Sequence, residues 1–139
     1  MLIRPYQPAD ETAVIRLWER AGLTRPWNDP RKDIERKLHV QGEWFLVGEL
    51  EGQIITSVMA GYDGHRGWIN YLAVDPEHQR EGHGRTIMQY AEQLLLAAGC
   101  PKINLQIRTD NLAAIAFYES LGFQQDAVVS FGKRLIADQ

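Results

Sequence analysis

At 139 residues, 45% of them hydrophobic and 24% charged, the chain has the size and balance of one globular domain, spanning 1–139, with a real core. A net charge of −3 leaves no basic excess to neutralise phosphates, which argues against nucleic acid as a partner. A single cysteine, Cys100, excludes an internal disulfide, the start Met1-Leu-Ile-Arg-Pro lacks the shape of a signal peptide, and the apolar run Leu94 to Gly99 is too short for a bilayer, so a cytoplasmic protein is expected.

In chain order, Leu2-Ile3-Arg4 reads as an opening strand closed by Pro5 and Pro8. Asp10 is placed to cap a first helix whose apolar side is Val14, Leu17, Trp18 and Ala21, with Gly22 just past its end. After the turn-rich link Arg25-Pro-Trp-Asn-Asp-Pro30, Asn28 or Asp29 caps a second helix with Pro30 at its first position. That helix, Lys32 to Val40, turns only Ile34, Leu38 and the stem of Lys37 inward, so it is expected as a surface flap. From Trp44 the period changes to that of strands. Trp44–Glu49 and Gln53–Gly61 are joined by a tight turn at Leu50-Glu51-Gly52, and Gly67–Val74 follows the turn Tyr62-Asp63-Gly64-His65. These three make an antiparallel meander.

Asp75-Pro76 stops the fourth strand, and the glycine-punctuated loop Gln79-Arg80-Glu81-Gly82-His83-Gly84 leads into a strongly patterned helix. Ile87, Met88, Ala91, Leu94, Leu95 and Ala98 share one face of it. Unpaired N–H groups and the dipole at such a helix start attract anions, and glycines let a phosphate come close. The loop fits neither the nucleotide-triphosphate pattern, since Gln79 and Arg85 stand where Gly and Lys are needed, nor the dinucleotide pattern, since Ile87 occupies the third glycine position. Beyond Pro101, a strand from Lys102 to Arg108 is reached by a parallel crossover. Asn111 then opens a short helix ending at Gly122. Phe123–Val129 and Phe131–Ile136 are expected as a last hairpin.

Two stretches carry a resemblance. Gln79-x-x-Gly82-x-Gly84, directly after Leu72-Ala-Val-Asp-Pro, resembles the pyrophosphate loop of the GCN5-related N-acetyltransferase (GNAT) superfamily. Asn111, Ala114, Phe117-Tyr118 and Leu121-Gly-Phe123 resemble the later signature of the same family. Arg25-Pro-Trp-Asn-Asp-Pro, Gly61-Tyr-Asp-Gly-His-Arg-Gly, Gly99-Cys-Pro-Lys-Ile and Gly132-Lys-Arg-Leu-Ile extend the likeness over nearly the whole chain, toward the bacterial YpeA-type branch. The resemblance implies an α+β fold, a mixed α/β sandwich. Its central sheet has about seven strands, splayed between the fourth and fifth, with helices on both faces.

It also implies function: an acetyl-CoA-dependent N-acetyltransferase moving an acetyl group to a primary amine by direct attack in a ternary complex, with no metal. The alternative is an acyl-CoA-binding regulatory module without catalysis; a homodimer is compatible with either. Leu72, Ala73 and Val74 would pair their backbone with the pantetheine arm. Gln79, Arg80, Glu81, Gly82, His83, Gly84 and Arg85 would hold the diphosphate, with Arg80 and Arg85 either as donors to it or as solvated charges. Asn111 would order the pantetheine arm or cap its helix. Tyr118 stands at the general-acid position, where a donor hydroxyl meets the leaving thiolate.

Ribosomal-protein N-terminal acetyltransferases carry a glutamate where this chain has Gln106, and a glutamine cannot take a proton. Proton removal is therefore expected to fall to water, or through water to Asp63 or Glu43, with Tyr71 and His65 as weaker candidates. The expected acceptor pocket comprises Trp27, Asp29, Tyr62, Asp63 and Gln106, an aromatic and acidic wall suited to a cationic amine. Trp27 is equally suited to plug the core beneath the flap.

Overall fold

In the computed structural model, which describes residues 1–138, one sheet with strands in the order β1-β2-β3-β4-β5 is sandwiched between two layers of helices. Its strands are β1 (Leu2–Pro5), β2 (Phe45–Leu50), β3 (Gln53–Tyr62), β4 (Gly67–Val74) and β5 (Ile103–Leu105); the helices are α1 (Glu11–Arg20), α2 (Pro30–Leu38), α3 (His83–Ala97) and α4 (Leu112–Ser120). The first four strands are antiparallel to their neighbours, and β5 joins β4 in parallel. Alternation along β2 sorts the core. Phe45 and Val47 face α1 and α2, packing with Val14, Leu17, Trp18 and Ile34, while Leu46 faces α3, packing with Val58, Ile87, Met88 and Leu95.

Local chemistry explains most of the boundaries. Asp29 caps α2, its carboxylate accepting the Arg31 N–H at 2.9 Å, with Pro30 at the first helical position. Asn111 caps α4 by accepting from the Ala114 N–H at 3.1 Å. The β2–β3 turn places Glu51 and Gly52 at φ of 51° and 79°, the left-handed pair of a tight hairpin. In α2, Ile34 is buried and Lys37 reaches in to donate to the Ala60 carbonyl, as a flap over the sheet requires, whereas Leu38 is largely exposed.

Three expectations are corrected. Asp10 precedes α1 but does not cap it with its side chain: the carboxylate accepts the Gln7 N–H and pairs with Arg4 at 2.8 Å, because the guanidinium from β1 offers two donors at once. The expected strand Lys102–Arg108 shortens to Ile103–Leu105. The expected last hairpin is absent among the described residues, so the sheet has five strands rather than seven. Only Ser130 separates the two runs, too little chain for a two-residue hairpin turn. Beyond Phe123, which packs on the α3-side core, the chain is held instead by side-chain contacts. Asp126 meets Lys102 at 3.0 Å, Ser130 accepts from Gln106, and Arg134 donates to Asn28 at 2.6 Å. Val128, Val129, Phe131, Leu135 and Ile136 are exposed.

Candidate active site

The site is built where two parallel strands part. β4 and β5 pair only over Gly67–Ile69 and Ile103–Leu105, and no residue of β4 beyond Ile69 has a β5 partner among the described residues. Just past the parting, β4 bulges. Ser57 faces Ala73 and Met59 faces Asn70, so Val58 lies opposite two residues, Tyr71 and Leu72. Tyr71 takes the left-handed conformation, φ 52°, which a tyrosine adopts only when its surroundings hold it. Those surroundings are specific: its ring stacks on Trp18 at 3.9 Å, its carbonyl accepts from the Ser57 hydroxyl, and its own hydroxyl donates to Asp33 of α2 at 2.6 Å. The bulge changes which face the strand presents. Ile69 belongs to the α3-side core and Ala73, four residues on, to the α1 side, where a regular strand would keep both together.

The bulge also aims the backbone. The carbonyls of Tyr71 and Ala73 both accept from β3 side chains, Ser57 and Thr56, so the intervening Leu72 directs its amide and carbonyl toward the open side. A free strand edge is a template for an extended amide-bearing ligand. Of the three expected backbone contacts, Leu72 fits most directly.

The loop follows from Val74. The Asp75 carboxylate, gripped by Arg20 at 2.8 Å, accepts the Glu77 N–H and fixes the short turn Pro76–His78. Arg80 and Gly82, at φ 65° and 85°, then fold Gln79–Gly84 back into the first turn of α3. Arg80 has no hydrogen bond or ion pair among the described residues, leaving its charge uncommitted, whereas Arg85 donates to the Ser120 carbonyl at the end of α4. Gly84 is buried. A Cβ there would meet the Phe117 ring at 3.1 Å and Val74 at 3.4 Å, so this glycine lets α4 lie against the start of α3.

Tyr118 follows Phe117 on α4 and packs on the same core cluster as Leu72 and Leu105, which flank the parting. Its ring stands edge-on to Phe117 and Phe123, at 5.1 and 5.6 Å, and its hydroxyl has no protein partner among the described residues. Burial pushes the phenol up to about 12, so it stays protonated and able to donate.

The expected acceptor wall is not brought together. Asp29 spends its carboxylate on the α2 cap. Asp63 lies in the β3–β4 turn at the opposite end of β4 from the loop, accepting from the His65 and Arg66 amides and from Trp68; those amide bonds lower its pKa. Tyr62 sits beside it, its hydroxyl 3.4 Å from the Gly64 carbonyl. Trp27 is half-exposed with the Arg108 guanidinium 5.5 Å over its ring, so one cation already covers it. Gln106 donates to Ser130.

What the sequence reading passed over lies on the α2 side of the bulge. Asp33 takes the Tyr71 hydroxyl and the Arg36 guanidinium, and the buried Asp138 accepts from Arg36 at 2.8 Å and from the Asp29 amide at 2.7 Å. Burial, reinforced by Asp33, pushes the Tyr71 phenol well above its ordinary range, which removes it as a base. Beside these residues, an open recess of about 530 Å3 runs between Arg36 and Gly132–Ile136, with Lys133 and Arg134 in its lining.

A mixed sheet with helices on both faces, whose parallel strands part above a glycine loop at a helix start, is the architecture of an acetyltransferase-type fold. The sequence profile of the Acetyltransferase (GNAT) family matches residues 12–123, and the chain belongs to that family. It is 50% identical, over 100% of its own length and 99% of the relative's, to an acetyltransferase of Sodalis glossinidius. Among solved structures it is similar to Ard1 from Thermoplasma volcanium, at a TM-score of 0.79 with 28% identity over 91% of this chain and 84% of that one. It is also similar to the ribosomal-protein-S18-alanine N-acetyltransferase from Escherichia coli, at 0.75 and 28% over 90% and 78%. The chain is therefore an N-acetyltransferase of a family that uses acetyl-CoA. No helix among the described residues is long and apolar enough to cross a membrane.

Proposed function

We propose that the protein moves an acetyl group from acetyl-CoA to a primary amine by direct attack within a ternary complex. The pantetheine arm lies along the open edge of β4 at Leu72–Val74, and the diphosphate sits on the Gln79–Gly84 loop with Arg80 as its side-chain donor. The neutral amine attacks the thioester carbonyl carbon, the C–N bond forms and the C–S bond breaks. The departing thiolate takes its proton from Tyr118, and the amine's extra proton leaves to water. The observation that carries this reading is the uncommitted phenol of Tyr118, kept protonated by burial and packed on the cluster that holds Leu72 and Leu105.

The acceptor side of the proposal is the opposite face. Asp33, held against the bulge by Tyr71, orients the amine, and Lys133 and Arg134 in the neighbouring recess favour an acceptor that also bears an anionic group. An amino acid or an acidic peptide amine has both. The test is CoA release over a panel of amines matched in pairs with and without a carboxylate. The carboxylate-bearing members should react with the higher kcat/KM, and Asp33→Asn should raise KM for the amine while leaving acetyl-CoA affinity alone. Acetyl-CoA binding without turnover on any amine would overturn the catalytic reading. Equal rates within every pair would overturn the acceptor class alone.

A further inference from the structure

The diphosphate loop carries side chains that the acetyl-transfer chemistry does not use. Of the four histidines in the chain, His78 stands just before this loop and His83 within it, with Glu81 between them. His78 Nδ1 lies 3.0 Å and His83 Nε2 3.3 Å from the same atom, Oε1 of Glu81, and all three ligand atoms fall within 4.8 Å of one another. Ligands about 2.0–2.1 Å from a tetrahedral ion stand roughly 3.3 Å apart. Two of the three separations already approach that value, and the third lies within 4.8 Å.

We propose that His78, Glu81 and His83 form a binding site for a divalent transition-metal ion, Zn2+ being the chemical type, with its fourth position open to solvent or to an anion. Two imidazole nitrogens and one carboxylate oxygen suit zinc and its neighbours, and do not suit Ca2+ or Mg2+, which prefer all-oxygen cages. Both nitrogens converge on one oxygen of Glu81, an arrangement that an ion bound to that oxygen would share.

The backbone holds the three residues in place from both ends. His78 closes the turn that Asp75 and Arg20 pin, His83 is the first residue of α3, and the left-handed Arg80 folds the chain so that Glu81 falls between them. Side-chain exposures of 28% for His78, 51% for Glu81 and 17% for His83 leave an entry path. The start of α3 and the nearby arginines oppose a bare cation, and Glu81 offsets part of that. An anion offsets the rest, and the loop amides beside the cluster are the proposed seat of a diphosphate. Bound metal should then tighten acetyl-CoA binding, and by linkage acetyl-CoA should tighten metal binding by the same factor. This coupling rests on the proposed function; the metal site itself does not.

Zinc chloride titrated calorimetrically into the full chain, free of tags, should bind at one equivalent, and Co2+ should show the intense visible bands of a tetrahedral ion. Glu81→Gln at an exposed side chain and His78→Ala at a partly exposed one should each weaken binding about tenfold or more, since even outer-shell changes typically cost that much. His65→Ala, in the β3–β4 turn, should leave it unchanged. Zinc affinity equal in wild type and in the His78→Ala/His83→Ala double variant would overturn the site, as would a weak octahedral Co2+ spectrum. In a second arm, acetyl-CoA affinity should rise severalfold with one equivalent of zinc in wild type and not in Glu81→Gln. Unchanged affinity there would overturn the coupling with the site intact, and no acetyl-CoA binding with or without metal would count against the proposed function instead.

Discussion

Replacing Tyr118 by phenylalanine separates chemistry from packing because of how the ring is held. Its edge-on contacts with Phe117 and Phe123, at 5.1 and 5.6 Å, belong to the ring and survive the change. The hydroxyl has no protein hydrogen bond to lose among the described residues, so no buried partner is left unsatisfied. The stability cost should stay within about 0.5 kcal/mol, a shift of the melting temperature of roughly 2 °C or less for a chain of this size. Acetyl-CoA affinity should also hold, since the proposed contacts of the arm and the diphosphate lie on β4 and the loop. Turnover should fall about a hundredfold or more, the usual worth of a general acid, or about 2.7 kcal/mol in the barrier. The assay is single-turnover thiol release at saturating acetyl-CoA, beside calorimetric affinity and a thermal melt. Wild-type turnover would refute the acid role and leave the tyrosine as packing. A melting temperature many degrees lower would refute the claim that its hydroxyl is structurally idle.

The same phenol sets the pH dependence. With Tyr118 pushed up to about 12 and no base at Gln106, the pH–rate profile should climb toward the amine's own pKa without a side-chain limb near neutrality; a limb that Gln106 variants move would contradict this. Arg80→Ala should weaken acetyl-CoA binding by roughly tenfold to a hundredfold, the range for one charged hydrogen bond, as calorimetry would read; an affinity within twofold of wild type would remove Arg80 from the diphosphate seat. Gly84→Ala should cost about 1–3 kcal/mol by overpacking against Phe117, and trimming the ring with Phe117→Leu should recover part of that loss in a thermal melt. Asp138, held down at about 2 by the Arg36 guanidinium and the Asp29 amide, adds stability above the ordinary carboxylate range and loses it as pH falls from about 4 toward 2. Acid should therefore loosen residues 124–138 first, read by limited proteolysis, and Asp138→Asn should show that loosening already at neutral pH.

Elements with a local signature were legible from the residues: the caps at Asp29 and Asn111, the hairpin turn at Glu51-Gly52, and the apolar face of α3 through Ile87, Met88, Ala91 and Leu95. The loop and Tyr118 stand out in sequence because each lies in a single stretch that resembles a family signature, and their roles are those proposed above. What escaped depends on distance in sequence. Asp33 meets Tyr71 across 38 residues and Asp138 meets Arg36 across 102, and no periodicity announces such pairs. In sequence Gly84 stands out only as a glycine of the phosphate loop; Phe117, 33 positions on, makes it a packing residue as well. The apolar residues after Phe123 suit strands by type, but Ser130 leaves no room for a turn between them.

Strand β4 is out of phase with itself, and that limits how its sequence can be handled. Before Tyr71 the positions facing α3 are odd-numbered, as at Ile69; after it they are even-numbered, as at Leu72 and Val74. Removing Tyr71 would restore a regular ladder with Leu72, Ala73 and Val74 still in their layers, but would take away the ring that stacks on Trp18 and the hydroxyl that meets Asp33. A chimaera with another acetyltransferase must therefore be spliced before Ile69 or after Val74, with the stretch between transferred as one block. An alignment gap placed inside that block anywhere but at the bulge would shift the open-edge residues by one and swap their layers, however high the surrounding identity.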